Sequence, residues 1–185
     1  MNRSQLEHLV RAACDVAGVA DVLVIGSQAI LATYPDWQLP AAATMSLEAD
    51  IAVDAELARA QMVVDETALA DAIDGALGEG SQFHHTFGYY AQGVEAITAT
   101  LVPGWRDRLV ALRCDTPQGP VTGWCLESHD VWVAKAVAGR AKDFEYCGAL
   151  ANASLVERRV CDERIGHLGA IDRARASVVL ARAFA

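Results

Sequence analysis

The stretch that decides the fold is residues 21–53: Asp21-Val-Leu-Val-Ile-Gly26-Ser27-Gln-Ala-Ile-Leu-Ala32, a segment holding two prolines, then Ser46-Leu-Glu48-Ala-Asp50-Ile-Ala-Val53. The apolar run at 22–25 suits a central strand. Gly26-Ser27 then makes a small-residue turn, where glycine lets the backbone approach another group closely. Ser27 is expected to cap a short helix over 28–34, which Pro35 stops. A loop over 35–46 leads into a second strand over 47–53. Side chains alternate along a strand, so Leu47, Ala49 and Ile51 take one face, and Glu48 and Asp50 the other. Two carboxylates on one face are costly unless they are paired or bind a cation. Their place level with the Gly-Ser turn points to a divalent cation, Mg²⁺ or Mn²⁺, with Glu48 and Asp50 as its oxygen ligands. The N–H groups after Gly26 and the Ser27 hydroxyl would grip a phosphate beside it. The plainer alternative is a solvated acidic strand edge.

Outward from this stretch, residues 4–18 place Leu6, Leu9, Val10, Ala13 and Val16 at helical spacing. Residues 66–77 repeat the pattern with Leu69, Ile73 and Leu77, and 56–64 show no clear period. Aromatic and β-branched residues suggest strands at 83–90 and 94–101, joined as a hairpin around Ala91-Gln92-Gly93. Further strands are expected at 108–114 and 121–126. From Ser128, read as a helix cap, the pattern turns helical: one helix to 139 or through 142, its continuation through 150, then helices at 152–164 and 172–184. The expected fold is α/β (α+β), a small mixed β-sheet flanked by helices with a helical C-terminal third. Residues 1–127 form the core, and 128–185 pack on it as one compact unit.

The chain has 185 residues, 53% of them hydrophobic and 21% charged, enough to bury the core of a single domain. No apolar run is long enough to span a membrane, and the first residues lack a signal-peptide pattern, so the expected location is cytoplasmic. Five scattered cysteines without Cys-x-x-Cys spacing argue for buried reduced thiols. Net charge is −9, yet residues 1–134 carry 6 basic and 18 acidic residues against 9 and 6 in 135–185, which locates any basic face in the C-terminal third.

Of the 15 basic residues only two are lysines, Lys135 and Lys142. Lys135 sits among apolar neighbours, where a compact mobile charge would suit a phosphate in a cleft. Lys142 falls two turns further on if the helix is unbroken, with Arg140 and Asp143 nearby. The alternative is a snorkelling, solvated ion-pair face.

Together the two stretches resemble the nucleotidyltransferase superfamily of DNA polymerase β-like fold, and within it the minimal nucleotidyltransferases of toxin–antitoxin and abortive-infection systems (the AbiEii-like group). The matching residues are Gly26, Ser27, Ser46, Glu48 and Asp50, then Lys135, Arg140, Lys142 and Asp143. The resemblance implies transfer of an NMP from an NTP to a hydroxyl on a tRNA 3′ end or a protein. It implies Glu48 and Asp50 as metal ligands, Lys135 as the third catalytic residue, and Gly26, Ser27, Ser46, Arg140, Lys142 and Asp143 around the nucleotide. An antitoxin partner goes with the toxin role. Two departures stand out: Glu48 replaces an aspartate, and a third carboxylate is not evident, Glu95 and Asp107 being weak options. A catalytically degenerate nucleotide- or partner-binding protein on the same fold is the alternative.

Weaker candidates are a His84-His85 metal pair, a Cys125/His129/Asp130 nucleophile set, the Trp105-Arg106-Asp107-Arg108 turn, and the Arg158-Arg159 and Arg173/Arg175 sets as phosphate contacts.

Overall fold

A computed structural model describes residues 1–57 and 65–185, so most of the unpatterned segment 56–64 falls outside it. The chain opens with α1 (Arg3–Ala17), capped by Asn2 and Gln5 in a reciprocal box. Its buried stripe is Leu6, Leu9, Val10, Ala13 and Cys14, the expected face except that Val16, in the last turn, is exposed and Cys14 takes its place. β1 (Asp21–Val24) follows, with Val22, Leu23 and Val24 buried. The sheet has five strands in the order β3-β2-β1-β5-β4. β1 runs antiparallel to β2 (Glu48–Ala52) and parallel to β5 (Gly119–Cys125). β3 (Tyr90–Gly93) lies parallel to β2, and β4 (Val110–Thr116) pairs with β5 as an antiparallel hairpin. This is the expected mixed sheet. The continuous apolar run makes β1 central, and α1 packs against all five strands.

The expected hairpin over 83–101 does not form. Ser81 accepts the His84 N–H at 3.1 Å and opens a helix, α4 (Gln82–Phe87). Phe83 and Phe87, one helical turn apart, dock on His8 of α1 with ring centroids at 5.0 and 4.7 Å. Aromatic β-propensity therefore loses to a cap and to packing at helical spacing. The sequence between the two expected strands is itself the strand β3. It reaches β2 through a crossover containing α3 (Glu66–Leu77) and α4, and residues 94–101 are irregular around a 3₁₀ turn at Ala96–Thr98.

After β1, residues Ser27–Ala32 wind as a 3₁₀ helix without the expected Ser27 side-chain cap. The loop 35–46 contains a 3₁₀ turn at Asp36–Gln38 and the short α2 (Ala41–Thr44). In the C-terminal part Glu127, not Ser128, caps α5 (Ser128–Ala138) by accepting the His129 N–H. Gly139, in the left-handed region at φ 61°, ends α5, and α6 (Ala141–Asn152) starts in a new direction. Lys135 and Lys142 therefore lie on two helices, and the two-turn spacing does not relate them. α7 (Arg158–Gly166) begins later than the expected 152–164 helix, and α8 (Ala170–Ala183) completes the chain. Trp132 is fully buried and donates from Nε1 to the Cys147 carbonyl at 3.0 Å, fastening α5 to α6. Among the described residues no helix is long and apolar enough to cross a membrane.

Candidate functional site

β1 ends where the chain turns back over β2. The Ile25 N–H donates to the Asp50 carbonyl at 3.1 Å, which sets the turn against the acidic strand. A Cβ on Gly26 would stand 1.8 Å from Asp50 Oδ2, so the carboxylate occupies the space a side chain would fill. The register thus delivers what the alternation implied, an acid facing the Gly-Ser turn. Ser46 organises the start of β2: its Oγ accepts the Glu48 N–H at 3.1 Å and donates to the Glu48 carbonyl at 3.2 Å. The Glu48 carboxylate accepts a hydrogen bond from the Tyr90 hydroxyl at 3.3 Å.

Burial pushes the Asp50 carboxyl above its ordinary range. The Lys135 charge opposes that rise, while neighbouring Glu48 adds to it by repulsion and by a hydrogen bond to the protonated form. A carboxyl held up by desolvation and a second acid is one that a bound cation would ionise.

The basic side is built around a buried acid. Asp143, 2% exposed, accepts the Arg140 backbone N–H at 3.1 Å and Arg140 Nε at 2.8 Å, both at Oδ2. Its Oδ1 stands 4.0 Å from Lys135 Nζ. One carboxylate thus joins the end of α5 to the start of α6 across the Gly139 break. The hydrogen bond to Asp143 raises the Arg140 guanidinium pKa further.

These elements enclose two adjoining cavities. The larger, of about 520 Å³, is lined by Gly26, Asp50, Gln92, Lys135 and Arg140, together with Arg175 of α8. The smaller, of about 240 Å³, is lined by Ser27, Ser46, Lys135, Lys142, Asp143 and Tyr146. Lys135 is common to both. Eight of the nine residues singled out in the sequence therefore meet around one cleft. The ninth, Glu48, is outside the lining of either cavity, its carboxylate held by the Tyr90 hydroxyl on the same strand that carries Asp50's neighbour Gln92. The lysines converge through the break at Gly139, not through a continuous helix.

Glu95 and Asp107 do not reach the cleft: Glu95 accepts the Thr67 hydroxyl at 2.8 Å, and Asp107 lies in a 3₁₀ turn at Trp105–Arg108. The position beside Asp50 on the neighbouring strand belongs to Gln92, its register partner. In a parallel pair both side chains face the same side, so an amide stands where a further acid could have been. The sequence hid Gln92 inside an expected turn. Arg175, one of the weaker phosphate-contact candidates, does reach the cleft from α8, which its spacing on that helix could not show. Tyr146 shows no polar signal either, yet its hydroxyl donates to the Ser27 carbonyl at 3.0 Å and fixes the turn.

Of the weaker candidates only Arg175 lines the cleft, while Arg173 donates to the Gly166 and Leu168 carbonyls at 2.7 and 2.9 Å. His84 and His85 lie on α4, and His84 Nδ1 accepts the Gly80 N–H. The Cys125 thiol is wholly buried and its pKa is pushed far up by that burial, which removes it as a nucleophile. All five cysteines are free and buried. Trp105 folds inward, and Arg106 pairs with buried Asp54 at 2.7 Å.

Among the described residues no group of three or more His, Cys, Asp or Glu forms a ready metal cage. Two carboxylates still suit Mg²⁺, which is commonly held by one or two acids plus phosphate oxygens and water. The close seat of Asp50 over Gly26, and the rise of its carboxyl through burial and the Glu48 charge, fit such an ion.

A mixed sheet presenting a strand acid to a Gly-Ser turn, faced by a lysine from a following helix, accords with the nucleotidyltransferase class that the sequence resembles. Residues 4–163 match the family described as a nucleotidyltransferase of unknown function (DUF6036), and the chain belongs to it. No curated protein and no solved structure matches the chain.

Proposed function

We propose that the protein moves an NMP from an NTP to a hydroxyl acceptor with Mg²⁺ or Mn²⁺ bound at Asp50 and Glu48. The observation that carries this reading is the Asp50 carboxylate seated against Gly26, with Lys135 at the junction of the two cavities. Ser27, Ser46 and Lys142 line the smaller cavity and would hold the outer phosphates. Lys135, tethered by Asp143, would neutralise charge where the phosphate chain passes between the cavities. A bound cation would supply Lewis-acid stabilisation of phosphate oxygens. The acceptor oxygen forms a bond to the α-phosphorus, the bond to the bridging oxygen breaks, pyrophosphate leaves, and the acceptor proton passes to solvent. A tRNA 3′ end or a protein side chain as acceptor, a toxin role with a cognate antitoxin, and kinship with the AbiEii-like group follow from the sequence resemblance and belong to this reading.

A second reading rests on Gln92. With an amide beside Asp50, the cleft would bind a metal–nucleotide complex without assisting loss of the acceptor proton, and the protein would act by binding. Calorimetric titration with each NTP, with and without Mg²⁺, on wild type and Asp50→Ala tests the site common to both readings. Mg²⁺-dependent binding lost in Asp50→Ala supports it; equal binding by the two proteins removes the metal assignment.

A further inference from the structure

The two cavities differ in what their charges could hold. The smaller has the Gly-Ser turn, Ser46 and Lys142, a phosphate grip close to the chain's own backbone. The larger opens beyond Asp50 and carries a different set: the Gln92 amide, the Thr98 and Thr100 side chains, and the guanidinium groups of Arg140 and Arg175. Two carboxylates also line it, Asp50 and Asp172. Once Asp50 faces a cation, the balance of that cavity is positive through Lys135, Arg140 and Arg175.

Arg175 is the informative member. It stands on α8 beyond residues 4–163, so the family match says nothing about it. Among the described residues it forms no ion pair, although Asp172 lies one turn before it on the same helix. Arg140, by contrast, is already bound to Asp143. Arg175 also borders an apolar groove with Phe144 and Val178, which gives its aliphatic stem a surface to lie on while the head stays polar. Arg175 is exposed to solvent, so its planar fork of donors is free to meet a ligand entering a cavity lined by amide and hydroxyl groups, an arrangement suited to a phosphate ester.

Building on the proposed transfer, we infer that the larger cavity is the acceptor subsite, and that it takes a sugar hydroxyl flanked by a phosphate, with Arg175 contacting that phosphate. Lys135 then marks the boundary between donor phosphates and acceptor. The same chemistry is offered by a free nucleoside 5′-monophosphate and by the 3′-terminal nucleotide of an oligonucleotide.

Equilibrium binding of the four nucleoside monophosphates and of a short fluorescent RNA with a free 3′ hydroxyl tests this, using wild type, Arg175→Gln and Arg175→Lys. At least one probe should bind wild type and weaken about tenfold in Arg175→Gln, the scale of one charge-assisted contact. Arg175→Lys should recover part of the loss, while Mg²⁺–NTP affinity stays at the wild-type value in both variants. Monophosphate binding alone identifies a small-molecule acceptor, and tighter binding of the oligonucleotide identifies an RNA end; either supports the subsite. Absence of binding by every probe, equal binding by wild type and Arg175→Gln, or a matching loss of NTP affinity overturns it. If NTP fails to bind wild type while a probe binds in an Arg175-dependent way, the transfer reading fails and the phosphate subsite stands.

Discussion

Gly26→Ala separates the function of the site from the stability of the fold. The Gly26 backbone, at φ −80° and ψ −173°, is open to any L-residue, so alanine brings no backbone strain. What it brings is a methyl 1.8 Å from Asp50 Oδ2, 2.7 Å from Cγ and 3.0 Å from Cβ. Ordinary contact for such atoms begins near ~3.4 Å, so the carboxylate end must swing by more than about 1 Å. The clash falls mainly on the end of a side chain, which can rotate. The stability cost is therefore about 1 kcal/mol, at the low end for overpacking, or a fall in Tm of about 2–4 °C. Displacing the acid by about 1 Å at a reacting centre costs on the order of 10²-fold in rate. Calorimetry of Mg²⁺–NTP binding alongside thermal melts should show affinity down at least about tenfold with the fold retained. In an Asp50→Ala background the same substitution should lower Tm by less, because the carboxylate is gone and only the 3.0 Å contact to Cβ remains. Unchanged Mg²⁺–NTP binding in Gly26→Ala would refute the claim that Asp50 works from its seat on the glycine.

Three further outcomes are expected. Asp143→Asn should lower Tm by about 5–10 °C in thermal melts, because it removes the buried partner of Arg140 and Lys135 at about 2–3 kcal/mol, less than for a fully enclosed pair since Arg140 is half in water. Burial alone would push the Glu127 carboxyl up, but hydrogen bonds from His129 and Arg164 and their charges hold it down at about 2. Glu127 therefore contributes stability that is full above its unfolded value of 4.5 and lost as pH falls through about 2, worth about 2 kcal/mol after solvent screening. Acid-unfolding curves of Glu127→Gln should lose that steepening. Gln92→Glu should tighten Mn²⁺ binding several-fold by placing a third carboxylate beside Asp50; an unchanged affinity would show that β3 does not aim this side chain at the ion.

The sheet and its acidic strand were legible because they rest on local patterns: a four-residue apolar run, a Gly-Ser turn and alternating acids. The segment 83–101 was not, because its helix depends on the Ser81 cap and on aromatic docking against α1, a partner more than seventy residues away. The meeting of Lys135 and Lys142 was legible by resemblance but for the wrong geometric reason. Gly139 turns the chain, and buried Asp143 sets the two basic groups, which a helical wheel cannot express. Gln92 escaped because its place comes from strand pairing, and Arg175 was only one of several arginine candidates until helix docking set it in the cleft.

The central claim is most directly tested by incubating the protein with Mg²⁺ and each NTP, radiolabelled at either the α- or the γ-phosphate, together with nucleoside monophosphates, total RNA and protein. Nucleotidyl transfer predicts label moving to an acceptor from the α-labelled NTP only, with pyrophosphate released and the signal lost in Asp50→Ala. Label moving from the γ-position, or transfer that survives in Asp50→Ala, contradicts it.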